Sequence, residues 1–127
     1  MASIINMPNS IDLPFPPKEL SPNARLHWAA KARAKKAYRE DCFYTAKLQK
    51  VGPMRNELLK VHIVFFPPDK RKRDWDNMLA AAKSGLDGLA DAIKVDDSQW
   101  RISFDVSPYA DNKMGVSVSY LGPWAGK

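Results

Sequence analysis

Residues that could do chemistry concentrate between positions 70 and 99. Four consecutive cations, Lys70 to Arg73, lead directly into Asp74-Trp75-Asp76, and a second acidic pair, Asp96-Asp97, comes after a helical segment. Carboxylate oxygens are the ligands that Mg²⁺ and Mn²⁺ prefer in proteins. Neighbouring cations suit a polyanionic substrate. The stretch therefore indicates a metal-dependent enzyme that acts on a polyanion.

The first two aspartates, Asp74 and Asp76, are two residues apart. Their side chains share one side if the backbone there is extended, whereas on a regular helix they would diverge. The pattern places them at a strand-to-helix junction, where unpaired helix N–H groups favour ionised carboxylates. The alternative is helix capping, in which one of the two serves only as an N-cap worth about 1 kcal/mol. The basic run before them and the acidic pair after them favour the metal site.

Lys83 lies seven residues after Asp76, so on a helix it projects from nearly the same face, two turns further on. Helical side chains lean toward the N-terminus, which could bring its ammonium near a phosphate held at Asp74 and Asp76. Lys83 could equally pair with Asp87, four residues later.

A second basic set lies on the first predicted helix, where Lys31, Lys35 and Arg39 are four residues apart. Its alternative interpretation is a solvated helix face. The net charge of the chain is +6 and its sequence pI is about 9.5. This balance favours a nucleic acid as partner before a membrane surface, although many small soluble proteins are basic without a specific reason.

Hydrophobic periodicity predicts six elements. They are a short strand over 11–15, a helix over 28–49, a strand over 58–66, a helix over 76–92, and strands over 100–106 and 116–121. The last two strands look like a terminal hairpin, joined by a loop that holds Pro108 and an Asp111-Asn112-Lys113 turn. The order β-α-β-α-β-β predicts one α/β domain of the α+β type, with a mixed sheet and two main helices packed on it. The domain should span 11–122, between a ragged N-terminus (1–10) and a C-terminal tail (123–127).

The predicted helices carry apolar faces at helical spacing. The first should turn six residues toward the core: Ala34, Ala37, Tyr38, Cys42, Thr45 and Leu48. The second has an apolar stripe of five residues: Met78, Ala82, Leu86, Leu89 and Ile93. Gly85 and Gly88 weaken that helix and are expected to mark close packing against a neighbour. In the strand over 58–66, Val61, Ile63 and Phe65 should form the buried face.

The cysteine and histidine content argues against a disulfide-stabilised protein and against a metal site built from histidine or cysteine. The single cysteine, Cys42, cannot form an internal disulfide and is expected to be a buried helix residue. His62 has no second histidine or cysteine at metal-ligand spacing, so it is expected to be structural or exposed. The chain has no apolar run long enough to span a bilayer and no signal-peptide pattern, which predicts a cytoplasmic protein without a membrane partner.

Several motifs together resemble the RusA family of Holliday-junction resolvases. The resemblance is carried by RKRDWDN, a helix and then VDDSQ, with LPFPP near the N-terminus and Tyr38-Arg39-Glu40 on the first helix. It covers roughly residues 11–106. Members of the family are small, dimeric, Mg²⁺-dependent endonucleases of bacteria and prophages that cut four-way DNA junctions. The founding member has a functional lysine four residues after the second aspartate, where this chain has Ala80. Lys83 instead resembles the lysine of phage-type members, whose helix also reads close to AAKSGLDG.

The resemblance implies roles for individual residues. Asp74, Asp76 and Asp97 would hold one or two Mg²⁺ ions, with Mn²⁺ as a substitute, and Asp96 is the less suitable member of its pair. Lys83 would help to neutralise the charge that develops during phosphodiester hydrolysis. Asn77 would position a ligand or the helix start. The protein would act as a homodimer. The DNA backbone of the junction would be held by seven cations: Lys70, Arg71, Lys72, Arg73, Lys31, Lys35 and Arg39.

Two other functions fit parts of the sequence. A branched-DNA-binding protein without catalysis would keep the basic surface and need no metal. A transferase that binds a sugar nucleotide through Mn²⁺ could use the D-x-D triplet, but it would not need the KRKR run and is usually longer than this chain.

Overall fold

The computed structural model describes residues 10–69, 71–107 and 114–123. In these residues the chain forms four strands and two long helices in the predicted order: β1 (Ser10–Leu13), α1 (Trp28–Leu48), β2 (Leu59–Phe66), α2 (Trp75–Ile93), β3 (Trp100–Val106) and β4 (Gly115–Pro123). Single 3-10 turns at Lys18–Leu20 and Asp97–Gln99 follow β1 and α2. The predicted α+β domain with a mixed sheet is confirmed. Positions 1–9 and 124–127 of the predicted ends lie outside the described residues.

The sheet has the strand order β1-β4-β2-β3. β3 runs parallel to β2, from the pair Leu59 and Trp100 to the pair Phe65 and Val106. β4 is antiparallel to both β1 and β2. The predicted terminal hairpin is therefore wrong, because β2 separates β3 from β4. Pro108 and the turn predicted at 111–113 lie outside the described residues.

The reason is the path of α2, which returns the chain from the end of β2 to the start of β3. Such a crossover makes β3 a parallel neighbour of β2 in a β-α-β unit. The other side of β2 is then left for β4, whose antiparallel pairing extends to Phe66 and Gly115. Alternation within a strand predicts which residues face the core, but it does not predict which strands become neighbours.

The core lies between one face of the sheet and the two helices. β2 alternates as predicted, with Val61, Ile63 and Phe65 at most 2% exposed. The intervening His62 faces the other side of the sheet, where its Nδ1 lies 2.7 Å from Ser103 Oγ. All five residues of the predicted apolar stripe on α2 are buried. No helix within the described residues is long and apolar enough to cross a membrane.

The inward face of α1 is narrower than predicted. Tyr38, Cys42 and Ala46 are buried, and Ala34 and Thr45 are half-buried. Two predicted core residues are wrong: Ala37 is exposed, and the Leu48 side chain at the helix end is 83% exposed. The buried row recurs every four residues because α1 contacts the domain mainly along one line, against α2.

Glycines on α2 explain that close contact. A Cβ on Gly85 would lie only 2.8 Å from the Cys42 sulfur and would overlap the Tyr38 ring. A Cβ on Gly88 would overlap the backbone carbonyl oxygen of Arg39. The prediction that these glycines mark close packing is confirmed. Cys42 is fully buried, as predicted, and burial raises the pKa of its thiol to about 12.

Arg39 and Asp91 join the two helices at their solvent side. Arg39 Nε and Nη2 donate to the two Asp91 oxygens at 2.8 and 2.9 Å. These hydrogen bonds lower the pKa of Asp91. Since both side chains are about half exposed, solvent screens the pair. Its geometry is nevertheless bidentate, the stronger form of an arginine–carboxylate contact.

We expect Asp91→Asn to lower the free energy of unfolding by about 0.5–1 kcal/mol at neutral pH. The pKa of Asp91 is lowered by folding, so its stabilising effect is present above the unfolded-state pKa of about 3.9 and is lost as the pH falls through the folded-state pKa. Urea unfolding at a series of pH values measures this. The deficit of Asp91→Asn should disappear in acid, whereas Asp41→Asn on the exposed side of α1 should show no such deficit. An unchanged unfolding midpoint at neutral pH would contradict the prediction.

Candidate metal and nucleic-acid site

The start of α2 carries the first predicted pair of carboxylates. Asp74 occupies the N-cap position in an extended conformation (φ −81°, ψ 133°), and its side chain makes no capping hydrogen bond. Asp76 lies in the first turn, where its Oδ1 accepts a hydrogen bond of 3.0 Å from the Asn77 backbone N–H. Both aspartates are exposed. The strand-to-helix position is thus confirmed, and the Asp74 carboxylate is not used for capping.

Trp75, between the two aspartates, contacts the sheet but remains 57% exposed. Its ring packs on Phe104 of β3 with centroids 5.4 Å apart and planes tilted by 35°. Its neighbours Asp74 and Asp76 are exposed as well. The D-W-D triplet therefore combines one aromatic contact to β3 with two exposed carboxylates.

Lys83 forms a second charged cluster further along α2. Its Nζ lies 2.5 Å from Asp87 Oδ1 and 2.7 Å from Asp97 Oδ2. Partial burial lowers the pKa of Lys83, but the hydrogen bonds to both carboxylates outweigh it, and the pKa is raised overall. Of the four predicted catalytic residues, the structure thus brings Lys83 and Asp97 into direct contact. The pairing with Asp87 was the alternative that i,i+4 spacing indicated.

The two groups of carboxylates do not merge. Asp76 and Lys83 are separated along the axis by about 10 Å, at 1.5 Å for each of seven residues. Across residues 10–69, 71–107 and 114–123, no three histidine, cysteine or acidic side chains lie close enough together to hold one metal ion. Asp96 is used locally, since its Oδ2 accepts from the Ser98 N–H at 3.0 Å. Hydrogen bonds from the Ser98 side chain and from its backbone N–H lower the pKa of Asp96.

The donor set at the helix start nevertheless fits Mg²⁺. Asp74 and Asp76 are exposed carboxylates without a cationic partner among the described residues. Mg²⁺ usually keeps several waters and takes only one or two protein carboxylates. Asp97, the third predicted ligand, is instead paired with Lys83 through its Oδ2.

We expect Lys83→Met to lower the free energy of unfolding by about 0.5–1 kcal/mol, because it leaves two acidic side chains facing each other without a cation. Since folding raises the pKa of Lys83, this stabilisation is complete below the unfolded-state pKa of about 10.4 and is lost as the pH rises through the folded-state pKa. Urea unfolding of Lys83→Met, Asp97→Asn and the double variant gives the coupling energy. A coupling near zero would show that Lys83 and Asp97 do not pair in solution.

The basic run before α2 is only partly free. Arg73 Nη1 donates to Asp69 Oδ1 at 2.9 Å, and its guanidinium lies 5.7 Å from the centroid of the Phe15 ring. This hydrogen bond, and one from the Arg71 backbone, lower the pKa of Asp69. Arg71 Nε also lies 3.6 Å from Asp69 Oδ1, although the Arg71 side chain is 79% exposed. Lys72 is exposed as well. Lys70 lies outside the described residues. Both arginines therefore contact Asp69, Arg73 more closely than Arg71, whereas Lys72 faces solvent.

The basic stripe predicted on α1 is also partly engaged. Lys31 Nζ donates to the Ser21 carbonyl at 3.4 Å, and Arg39 is bound to Asp91. Lys35 is exposed and has no ion pair among the described residues. The three residues do not present three equivalent free cations.

A cleft of about 810 Å³ adjoins the start of α2. It separates the segment over 15–23 from the loop over 68–74. Its lining includes Asp74 and Asn77 together with aromatic, proline, aliphatic and basic residues, among them Phe15, Pro16, Pro17, Met78, Arg71 and Lys72. The sequence prediction did not include this cleft. The LPFPP motif was its only sequence signal, and nothing in that motif predicts which loop it will face.

Comparison with known proteins gives a family but no function. No protein-family model matches the chain. A protein of Xylella fastidiosa (strain Temecula1), described as an uncharacterized protein, is 39% identical over 103 residues, which cover 79% of this chain and 67% of that protein. At this identity and coverage the chain belongs to the same family as the Xylella protein.

Proposed function

We propose that the protein is a Mg²⁺-dependent endonuclease of the RusA family that resolves four-way DNA junctions. The observation that carries the proposal is the pair Asp74 and Asp76 at the start of α2, exposed and without cationic partners, with Asp74 also lining a cleft whose rim includes Arg71 and Lys72. Carboxylates that would bind a metal thus lie beside cations that would bind a phosphate backbone. The family resemblance of the same stretch supports the assignment.

Each group has a distinct task in the proposed reaction. Asp74 and Asp76 would hold Mg²⁺, which would activate a water and stabilise charge on the reacting phosphate. Asp97 would join them on release from Lys83. Lys83 would then keep Asp87 as its partner and present a positive charge on the same helix face. Arg71 and Lys72 would bind backbone phosphates and contribute affinity without sequence information.

The proposed assembly is a homodimer. The strands of a four-way junction are related by two-fold symmetry, so a two-fold dimer can place one site on each of two strands. Two symmetric cuts then separate the junction into two duplexes. The proposal includes Mn²⁺ as a substitute for Mg²⁺ and a cytoplasmic location.

One observation favours a second candidate, a branched-DNA-binding protein without catalysis. In the described residues Asp97 is paired with Lys83, and no set of three acidic side chains is assembled. A protein that only binds DNA would need the exposed cations but no change at Lys83.

The test is cleavage of a synthetic four-way junction beside a linear duplex of the same sequence, each strand labelled in turn, with Mg²⁺, with Mn²⁺ and with EDTA. We expect paired, metal-dependent nicks at symmetric positions in the junction alone. Tight junction binding without cleavage in either metal would make the binding protein the better assignment. Equal cleavage of the linear duplex would contradict junction selectivity.

We expect Arg71→Ala and Lys72→Ala each to weaken junction binding in EDTA and to reduce the slope of log K against log salt by about 1. The reason is the loss of one phosphate contact for each exposed cation. Lys60→Ala is the matched control, because Lys60 is exposed at the start of β2, on the sheet face away from the helices. Equal salt slopes for all three variants and the wild-type protein would contradict a phosphate-binding role for the loop.

A further inference from the structure

The cleft beside Asp74 has an apolar wall suited to a planar ring. Phe15, Pro16 and Pro17 line it from one side and Met78 from the other. The two prolines restrict the backbone there. The Tyr38 hydroxyl donates to the Pro14 carbonyl at 2.6 Å, which fixes the segment to α1. The Phe15 ring is half-buried and is held under the Arg73 guanidinium. A rigid aromatic surface of this kind stacks any nucleobase.

The opposite side of the cleft can recognise the polar parts of a nucleotide. Arg71 and Lys72 are exposed cations at the rim. Asn77 also lines the cleft and is half-buried, and its side-chain amide has no hydrogen-bond partner among the described residues. An amide has both donors and an acceptor, so it can bind the edge of a base.

The size of the cleft agrees with such a ligand. Its volume of about 810 Å³ falls in the range of about 300–1,000 Å³ that is usual for small-molecule sites. It therefore has room for a nucleotide and its flanking phosphate. Asp74 lines the same cleft, so a strand that enters it passes the proposed metal site.

We propose that this cleft binds one unpaired nucleotide of a DNA strand, next to the phosphate that is cut. The base stacks on Phe15 and Pro17, its edge meets Asn77, and its phosphate meets Arg71 and Lys72. The position beside the cut phosphate rests on the proposed function, whereas binding of an unpaired nucleotide does not. At a branch point, taking a base out of its stack costs less than within a continuous duplex.

The first experiment measures binding in EDTA, where no cleavage is required. A fluorescent single strand of thymidylates is titrated with wild-type protein, Phe15→Leu, Asn77→Ala and Lys60→Ala. Phe15→Leu keeps an apolar side chain of similar size but removes the flat ring, so folding is preserved while stacking is lost. We expect about tenfold weaker binding for Phe15→Leu, weaker binding for Asn77→Ala and no change for Lys60→Ala. Equal affinity of Phe15→Leu and wild type would overturn the proposal.

The second experiment locates the base. A strand with a single 5-iododeoxyuridine, alone or at the branch point of a junction, is irradiated with the protein, and the cross-linked peptide is identified by mass spectrometry. A cross-link within residues 15–18 that is lost in Phe15→Leu supports the proposal. A cross-link to Trp75 or Phe104 instead would overturn it. In a competition assay, thymidine monophosphate at a concentration equal to the Kd of the strand should not displace the strand completely. Complete displacement would also overturn the proposal, because the cleft would then bind a free nucleotide as well as a strand.

The two proposals can fail separately. If the junction is never cleaved but the single strand still cross-links at residues 15–18 in EDTA, the cleft proposal stands and the endonuclease fails. If the junction is cleaved and the cross-link falls elsewhere, the endonuclease stands and the cleft proposal is overturned.

Discussion

Replacing either Asp74 or Asp76 by asparagine should abolish junction cleavage while leaving junction binding intact. We expect the cleavage rate to fall about a thousandfold, equivalent to about 4 kcal/mol of transition-state stabilisation, because a neutral amide is a poor ligand for Mg²⁺. Junction binding in EDTA should not weaken, because each substitution removes a negative charge that would otherwise repel the DNA backbone. Single-turnover cleavage and fluorescence anisotropy measure the two quantities.

The acidic pair after α2 supplies the matched control. Asp96→Asn and Asp97→Asn are isosteric changes at adjacent positions. Asp96 accepts a hydrogen bond from the Ser98 N–H, and asparagine caps about as well as aspartate. Asp96→Asn should therefore retain cleavage within a few-fold, whereas Asp97→Asn should lose it. Cleavage that survives in Asp74→Asn and Asp76→Asn would remove these residues from the metal site. A parallel loss of binding in EDTA would mean that they shape the loop instead.

The elements were predictable where a local pattern decides the structure. The period-2 alternation around Ile63 and the apolar stripe through Leu86 each specify a buried face, because the side chains of one element must share one environment. The glycines at positions 85 and 88 were informative for the same reason. A glycine inside a helix is unfavourable unless a neighbour approaches closely, and here α1 does.

The errors concern relations between elements. Consecutive strands are usually neighbours, which favours a hairpin of β3 with β4, but β2 provides a pairing edge on each side. On α1, Ala37 and Leu48 fit a helical face of ordinary width. The close contact with α2 buries only a narrow row of α1 side chains. No local pattern in α1 predicts how closely α2 packs against it.

The candidate site likewise has contacts that local sequence predicts and contacts that depend on how distant elements pack. The junction position of Asp74 and the i,i+4 contact of Lys83 with Asp87 follow from local geometry. The contact of Lys83 with Asp97 depends on the turn after α2, where Lys94 adopts a left-handed conformation (φ 62°) although it is not a glycine. The cleft depends on a contact between Phe15 and Arg73, which are far apart in sequence. The residues around each partner do not predict which distant residue it will contact.

Gly88→Ala should strongly destabilise the fold, against the usual effect of this substitution in a helix. Alanine has a higher helix propensity than glycine by about 1 kcal/mol, so an unobstructed site would gain stability. Here the new Cβ would overlap the Arg39 carbonyl oxygen and lie 3.1 Å from the Phe43 backbone nitrogen. Since both obstacles are backbone atoms, no side chain can rotate away, and α1 must move. Overpacking of this kind costs about 1–3 kcal/mol.

The comparison with Ala80→Gly separates packing from propensity. Ala80 is exposed on the same helix, so this reverse change should cost only the propensity difference of about 1 kcal/mol. In urea unfolding, Gly88→Ala should lose more stability than Ala80→Gly although it adds the better helix former. Gly88→Ala should also disturb the bidentate Arg39–Asp91 pair, because the new Cβ would push against the Arg39 backbone. If Gly88→Ala is instead more stable than wild type, α1 and α2 lie further apart in solution. The close packing of α2 against Tyr38 and Cys42 would then be contradicted.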